Sequence, residues 1–169
     1  CHCDIAALSL ADVRAWVPIC PDVVIMSPPC KSFSDLLPAE QAASAEYVEM
    51  SNLALAGLVL ACESWAPALP AIIVIENVRG IAGPRGAEVL GRVVKILHRY
   101  GYTIDQSAHD CGEIGSLAQH RDRVLIVARQ PEVAQDYLRR PPKQRVRAVG
   151  EVLGLLPSPV SDHGDEMHE

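Results

Sequence analysis

The chain has 169 residues, 49% of them hydrophobic and 21% charged, with a formal net charge of −6. That balance suits one globular domain with a sizeable core and excludes a disordered polymer. No apolar run approaches the ~20 residues of a membrane span, and no basic start leading into an apolar segment marks a secretory signal. The six cysteines follow no repeating spacing and read as reduced thiols of a cytoplasmic protein.

In chain order, Ser9 with Asp12 three positions on marks the start of a short helix through "SLADVRAW", broken by Pro18 and Pro21. The run 22–27 is β-branched and apolar on both faces, which predicts a strand buried in a parallel sheet. Pro28 and Pro29 stiffen the backbone after it, so Cys30 is presented just past the strand's carboxyl end. From Gln41 to Trp65 the chain is alanine- and leucine-rich, with Val48, Leu55, Val59 and Cys62 at helical intervals. "AIIVIEN", residues 71–77, predicts a second buried strand that ends in Glu76 and Asn77.

A second long helix follows from Arg85 to Tyr100, with Val89, Leu90, Val93, Ile96 and Leu97 as its apolar stripe and Gly101 closing it. "YTIDQSA" and "DRVLIVAR" then predict two strands joined by a loop with no helix between them, able to pair antiparallel at one edge. The order predicts an α/β sheet with right-handed crossovers and helices on both faces. Ligands of such sheets bind outside the carboxyl ends of the strands, where Cys30 and Glu76 both fall. A cysteine and a carboxylate on one rim can attack an electrophilic carbon and protonate the atom that gains electron density.

Two further features bear on partners. Between Gln119 and Arg147 the chain carries eight basic residues, Arg121, Arg123, Arg129, Arg139, Arg140, Lys143, Arg145 and Arg147, against three acidic ones. Such a segment is either a solvated face or a polyanion contact. Cys1-His2-Cys3 has a metal-like composition, but no second Cys/His pair follows at zinc spacing, so no metal is expected. The acidic tail, residues 160–169, is expected to be mobile.

Three sequence blocks carry a resemblance. Pro29-Cys30-Lys31-Ser32-Phe33-Ser34, then Glu76-Asn77-Val78, then Gln119-His120-Arg121-Asp122-Arg123 are similar, in order and context, to the Pro-Cys-Gln-x-Phe-Ser, Glu-Asn-Val and Gln-x-Arg-x-Arg blocks of the DNA (cytosine-5) methyltransferase family. Asp4-Ile5 resembles the family's adenine-side cofactor motif, and the likeness extends to about Pro159.

The resemblance implies a Rossmann-like, S-adenosylmethionine-dependent methyltransferase sheet and a role for each matched residue. Cys30 would be the nucleophile at C6 of a flipped cytosine, with a guanidinium of Arg121 or Arg123 nearby to favour the thiolate. Glu76 would share a proton with N3 and accept from the exocyclic amine, and Arg123 would contact O2. Arg121 and Gln119 would shape the site and its phosphate contacts, with Ser34 and Asn77 as further substrate contacts. Asp4, Ile5 and Pro29 would serve the cofactor. The implied partner is double-stranded DNA, with a cognate restriction endonuclease in a modification system, and the implied state is a monomer.

The match has gaps. Lys31 stands where the family has glutamine, and "CGEIGSLAQHRDR" is longer than the common form. Nothing before Asp4 supplies the family's Phe-x-Gly-x-Gly loop, and the chain opens on Cys1 rather than methionine. Residues 1–159 are therefore expected to be a partial catalytic domain, incomplete at its N-terminal cofactor-binding end and lacking the C-terminal recognition region. Three alternatives stand beside this one: a transfer-RNA methyltransferase of the same family, a catalytically silent nucleic-acid-binding remnant, and an unrelated cysteine hydrolase with His109 or His120 as base.

Overall fold

In the computed structural model, which describes residues 4–33, 38, 40, 44–133 and 140–156, the first capping signal is realised in full. Ser9 Oγ accepts the Asp12 N–H while the Asp12 carboxylate accepts the Ser9 N–H, and helix α1 (Leu10–Trp16) starts there. Strand β1 is Val23–Met26, helix α2 Ala45–Glu63, strand β2 Ile72–Val78 and helix α3 Ala87–Arg99. Gly101, with φ +82°, supplies the left-handed turn after α3 that a side chain would strain. Strand β3 (Thr103–Asp110), the short helix α4 (Cys111–Gly115), which stands where only a loop was expected, strand β4 (Asp122–Arg129) and helix α5 (Val149–Leu153) complete the order.

The sheet runs β1-β2-β4-β3. β1 and β2 are parallel, joined across α2, whereas β4 is antiparallel to β2 and sits between it and β3. Sequence order alone does not show that insertion.

Register sorts the side chains onto two faces. Val24 and Met26 align with Ile73 and Ile75, and Ile75, Ile73 and Asn77 align with Ile126, Ala128 and Val124. These form one face, and its apolar members share a core with Leu55, Leu58 and Cys62 of α2 and Val93 and Leu97 of α3. Gly57 of α2 lies where a Cβ would stand 2.9 Å from both Ile5 Cδ1 and Met26 Cε, so a glycine there lets the N-terminal segment reach the end of β1.

Two expectations need correction. β1 is not buried on both faces, because Val23 and Ile25, on the face away from the core, are 48% and 74% exposed. Val59, placed in the apolar stripe of α2, is 40% exposed, so the stripe that packs runs through Leu55, Leu58 and Cys62.

The chain divides into two compact units, residues 1–109 with 122–139, and 110–121 with 140–169. Within the second, Asp110 caps α4 through the Gly112 N–H at 2.8 Å, and Glu151 pairs with Arg145 at 3.0 Å beside α5. The expected boundary at 159 and the tail 160–169 lie outside the described residues, as do Cys1, His2 and Cys3. Among the described residues no helix is long and apolar enough to cross a membrane.

Candidate functional site

Two residues beyond β1, the chain turns through Pro28 and Pro29 to Cys30. The turn is pinned by a short 3-10 segment, Lys31–Phe33, in which the Phe33 N–H donates to the Cys30 carbonyl at 3.1 Å. Phe33 is 3% exposed and anchors the segment in the core, while Cys30 is half-buried at the core's margin. Cys30 is a free thiol, as are Cys20, Cys62 and Cys111. Cys62 differs from it: fully buried in α2, its thiol is pushed up to about 11 by burial and by Glu63.

Glu76 stands on β2 with its carboxylate held from both neighbouring strands. Ser27 Oγ, one residue past β1, donates to Oε2 at 2.9 Å, and Arg123 Nε on β4 donates to Oε1 at 2.6 Å. The register explains both contacts. Met26 lies beside Ile75, so Ser27 falls beside Glu76; Arg123 lies opposite Val78, one diagonal step from Glu76 on the same face. Arg123 also donates to the Asp122 carbonyl at 2.8 Å, which fixes its guanidinium.

Nothing in the sequence singles out Ser27, which stands there as one polar residue before two prolines. Only the parallel register of β1 on β2 reveals its role.

Asn77 points the other way. It is 2% exposed on the core face, its Oδ1 accepts the Val78 N–H at 2.9 Å, and its Nδ2 is buried without a hydrogen-bond partner. Alternation along β2 thus separates Asn77 from Glu76, although the two are adjacent in sequence. Ser34 lies outside the described residues.

Gln119 and Arg121 are exposed and belong to the second unit, in a loop organised by Asp110. The Asp110 carboxylate accepts the Arg121 N–H at 3.0 Å and the Gly112 N–H at 2.8 Å, and meets His120 Nδ1 at 2.5 Å. These bonds, led by the Arg121 N–H, hold the Asp110 carboxyl down to about 2. Gly112 is required here, because a Cβ would stand 1.9 Å from the Gln119 carbonyl oxygen. His109 is bonded to Ser107 at 2.8 Å, so both histidines considered as hydrolytic bases have other partners.

Much of the basic segment is committed internally. Arg123 pairs with Glu76, Arg129 with Asp105, Lys143 with Glu113 and Arg145 with Glu151. Arg121 and Arg140 are exposed, and Arg139 lies outside the described residues.

On the cofactor side, Asp4 caps a 3-10 turn, Ile5–Ala7, through the Ala6 N–H at 3.0 Å. Ile5 packs at Gly57 together with Met26, which places this turn near the carboxyl end of β1. Asp4, Ile5 and Pro29 are the residues expected from the sequence at the adenine end of S-adenosylmethionine. Among the described residues no glycine-rich loop is matched to its methionine end. No group of three or more His, Cys, Asp or Glu among the described residues could hold a metal ion.

Known proteins share this fold. No curated protein matches the chain by sequence. Among solved structures, a protein encoded within prophage Cp (E. coli) and described as a DNA modification methyltransferase superposes with a TM-score of 0.68 at 18% identity, over 92% of this chain and 41% of that one. The methyltransferase EhMeth of Entamoeba histolytica gives 0.60 at 19% identity, over 86% and 42%. The Dnmt2 methyltransferase of S. pombe gives 0.51 at 24% identity, over 77% and 34%. The chain thus spans less than half the length of each of these proteins. The profile of the C-5 cytosine-specific DNA methylases matches residues 9–156, nearly the whole sequence and every element from α1 to α5, and the chain belongs to that family.

Proposed function

We propose that this chain carries the reactive half of a DNA cytosine-5 methyltransferase, with Cys30 as the nucleophile and Glu76 as its acid–base partner. The observation that carries this is the braced carboxylate. Glu76 sits at the ends of three adjacent strands, fixed by Ser27 and Arg123, with the Cys30 turn leaving the strand beside it.

The chemistry assigned to these residues balances. Cys30 Sγ adds to C6 of a cytosine, and the electron pair of the C5–C6 double bond moves toward N3, which takes a proton that the Glu76 carboxylate has first taken up from solvent. Bound S-adenosylmethionine supplies an electrophilic methyl group for C5. Loss of the C5 proton to a base then restores the double bond, Cys30 leaves as thiolate, and N3 returns its proton to Glu76. A target base must leave the duplex stack for C6 to be reached, at a cost of a few kcal/mol. In this reading Arg123, paired with Glu76, meets O2, and Arg121 and Gln119 meet the backbone of the strand. Asp4, Ile5 and Pro29 hold the adenine side of the methyl donor. Double-stranded DNA, a companion restriction endonuclease, a monomeric state and a cytoplasmic setting belong to the same proposal, which draws support from the prophage-encoded neighbour.

Addition at C6 labilises the C5 hydrogen without requiring methyl transfer, which gives a direct test. The chain is expected to release tritium from C5-tritiated cytosine in duplex DNA, and the Cys30→Ser chain to release none. Equal release by both would sink Cys30 as nucleophile. Release from an RNA transcript but not from DNA would move the assignment to an RNA substrate.

A further inference from the structure

Beside the reactive rim lies a cleft of about 300 Å³ that the chemistry above does not use. Phe33, Ala82 and Pro84 line it with apolar surface, and Arg79 and Arg85 bring two guanidinium groups. Its two sides are the segments that present the reactive groups: Phe33 follows Cys30 by three residues, and Arg79 follows Glu76 by three. They meet backbone on backbone, since a Cβ on Gly80 would stand 1.8 Å from the Phe33 carbonyl oxygen. Gly86 is equally confined, 2.3 Å from the Ile81 carbonyl oxygen by the same measure, so the "RGIAGPRG" loop is compact.

Charge indicates the occupant. Arg79 is 76% exposed and its one described partner is Asp122, 3.5 Å away and itself 54% exposed. A pair so solvated contributes little and is readily exchanged for a stronger anion. A phosphodiester is such an anion, and guanidinium groups recognise it by paired hydrogen bonds. The apolar lining suits the sugar beside it.

We propose that this cleft seats a sugar–phosphate unit of the strand that carries the target cytosine, with its phosphodiester replacing Asp122 at Arg79 and reaching Arg85. The inference rests on the nucleic-acid function above and adds a binding subsite to it.

Fluorescence anisotropy of a labelled DNA duplex with one unpaired cytosine, titrated with the 169-residue chain between 50 and 200 mM KCl, tests it. Removing one cation that neutralises a phosphate makes the negative slope of log K against log salt shallower by about 0.9. Arg79→Ala and Arg85→Ala are each expected to make the slope shallower by about that amount and to weaken binding severalfold, while Arg14→Ala, outside the cleft, leaves the slope unchanged. Asp122→Asn is expected to tighten binding, and the gain to vanish in the Asp122→Asn/Arg79→Ala chain; a purely structural Arg79–Asp122 pair predicts weaker binding instead. Binding by the parent with unchanged slopes in both arginine variants would overturn the subsite and leave the nucleic-acid function standing. Absence of salt-dependent binding by the parent would overturn both.

Discussion

Glu76 receives one hydrogen bond on each carboxylate oxygen, from groups on the two strands that flank its own. The Arg123 bond is half-buried and charge-assisted, so Arg123→Ala is expected to lower stability by roughly 1–3 kcal/mol and Ser27→Ala by about 1 kcal/mol, read by urea denaturation. A larger loss for Ser27→Ala would show that Arg123 is the lesser support. Asp110 makes a prediction in pH. Its carboxyl is held below its ordinary value of 3.8, at about 2, by the Arg121 N–H, His120 and the Gly112 N–H. The stabilisation this gives is complete above pH 3.8 and is lost as pH falls through 2. Amide exchange at Gly112 and Arg121 is therefore expected to accelerate over that window and to lose the dependence in Asp110→Asn; a flat profile in the parent would contradict it. Thiol chemistry separates the cysteines: iodoacetamide is expected to label half-buried Cys30 well before Cys62, which is fully buried with its pKa pushed up to about 11. The sequence shows Cys30 and Glu76 because their types and rim positions are local facts. It hides Ser27, whose partner lies 49 residues away.

At the level of elements, local signals transferred well and register did not. The Ser9–Asp12 box and the Gly101 turn were legible because their partners lie within a few residues. β4 was legible as Asp122–Arg129 because its apolar core is bounded by charges at both ends. Its place between β2 and β3, and with it the approach of Arg123 to Glu76, depends on pairing over long separation that no local pattern encodes. The pale amphipathicity of α2 misled in another way: alanine and leucine lie all around it, so Val59 could be assigned to the wrong side. The loop between β2 and α3 yields a direct test. Gly80→Ala would push a methyl group into the Phe33 carbonyl, and is expected to destabilise by about 1–3 kcal/mol and to shift the Phe33 turn, visible as altered amide shifts for residues 30–33. Wild-type stability in that variant would mean that the two segments separate easily.

Across the molecule, α2 and α3 cover one face of the sheet. On the other, Val23 and Ile25 of β1 stand exposed. Exposed apolar strand surface at a sheet edge favours association. Ile25→Thr is expected to change unfolding free energy by no more than about 0.5 kcal/mol while reducing concentration-dependent scattering. If scattering is unaltered, or the parent shows none, this strand surface drives no association.

The three groups at the rim come from positions 27, 76 and 123, each at the same end of neighbouring strands. Hydrogen bonds along the strands, and not the intervening chain, set their distances. The stretches that join them are therefore tethers and not struts. The turn at Ser116–Leu117, for example, is expected to accept a few added glycine and serine residues without moving Arg123 away from Glu76, so the length of the loop before Gln119 is compatible with an unchanged Arg123–Glu76 pair.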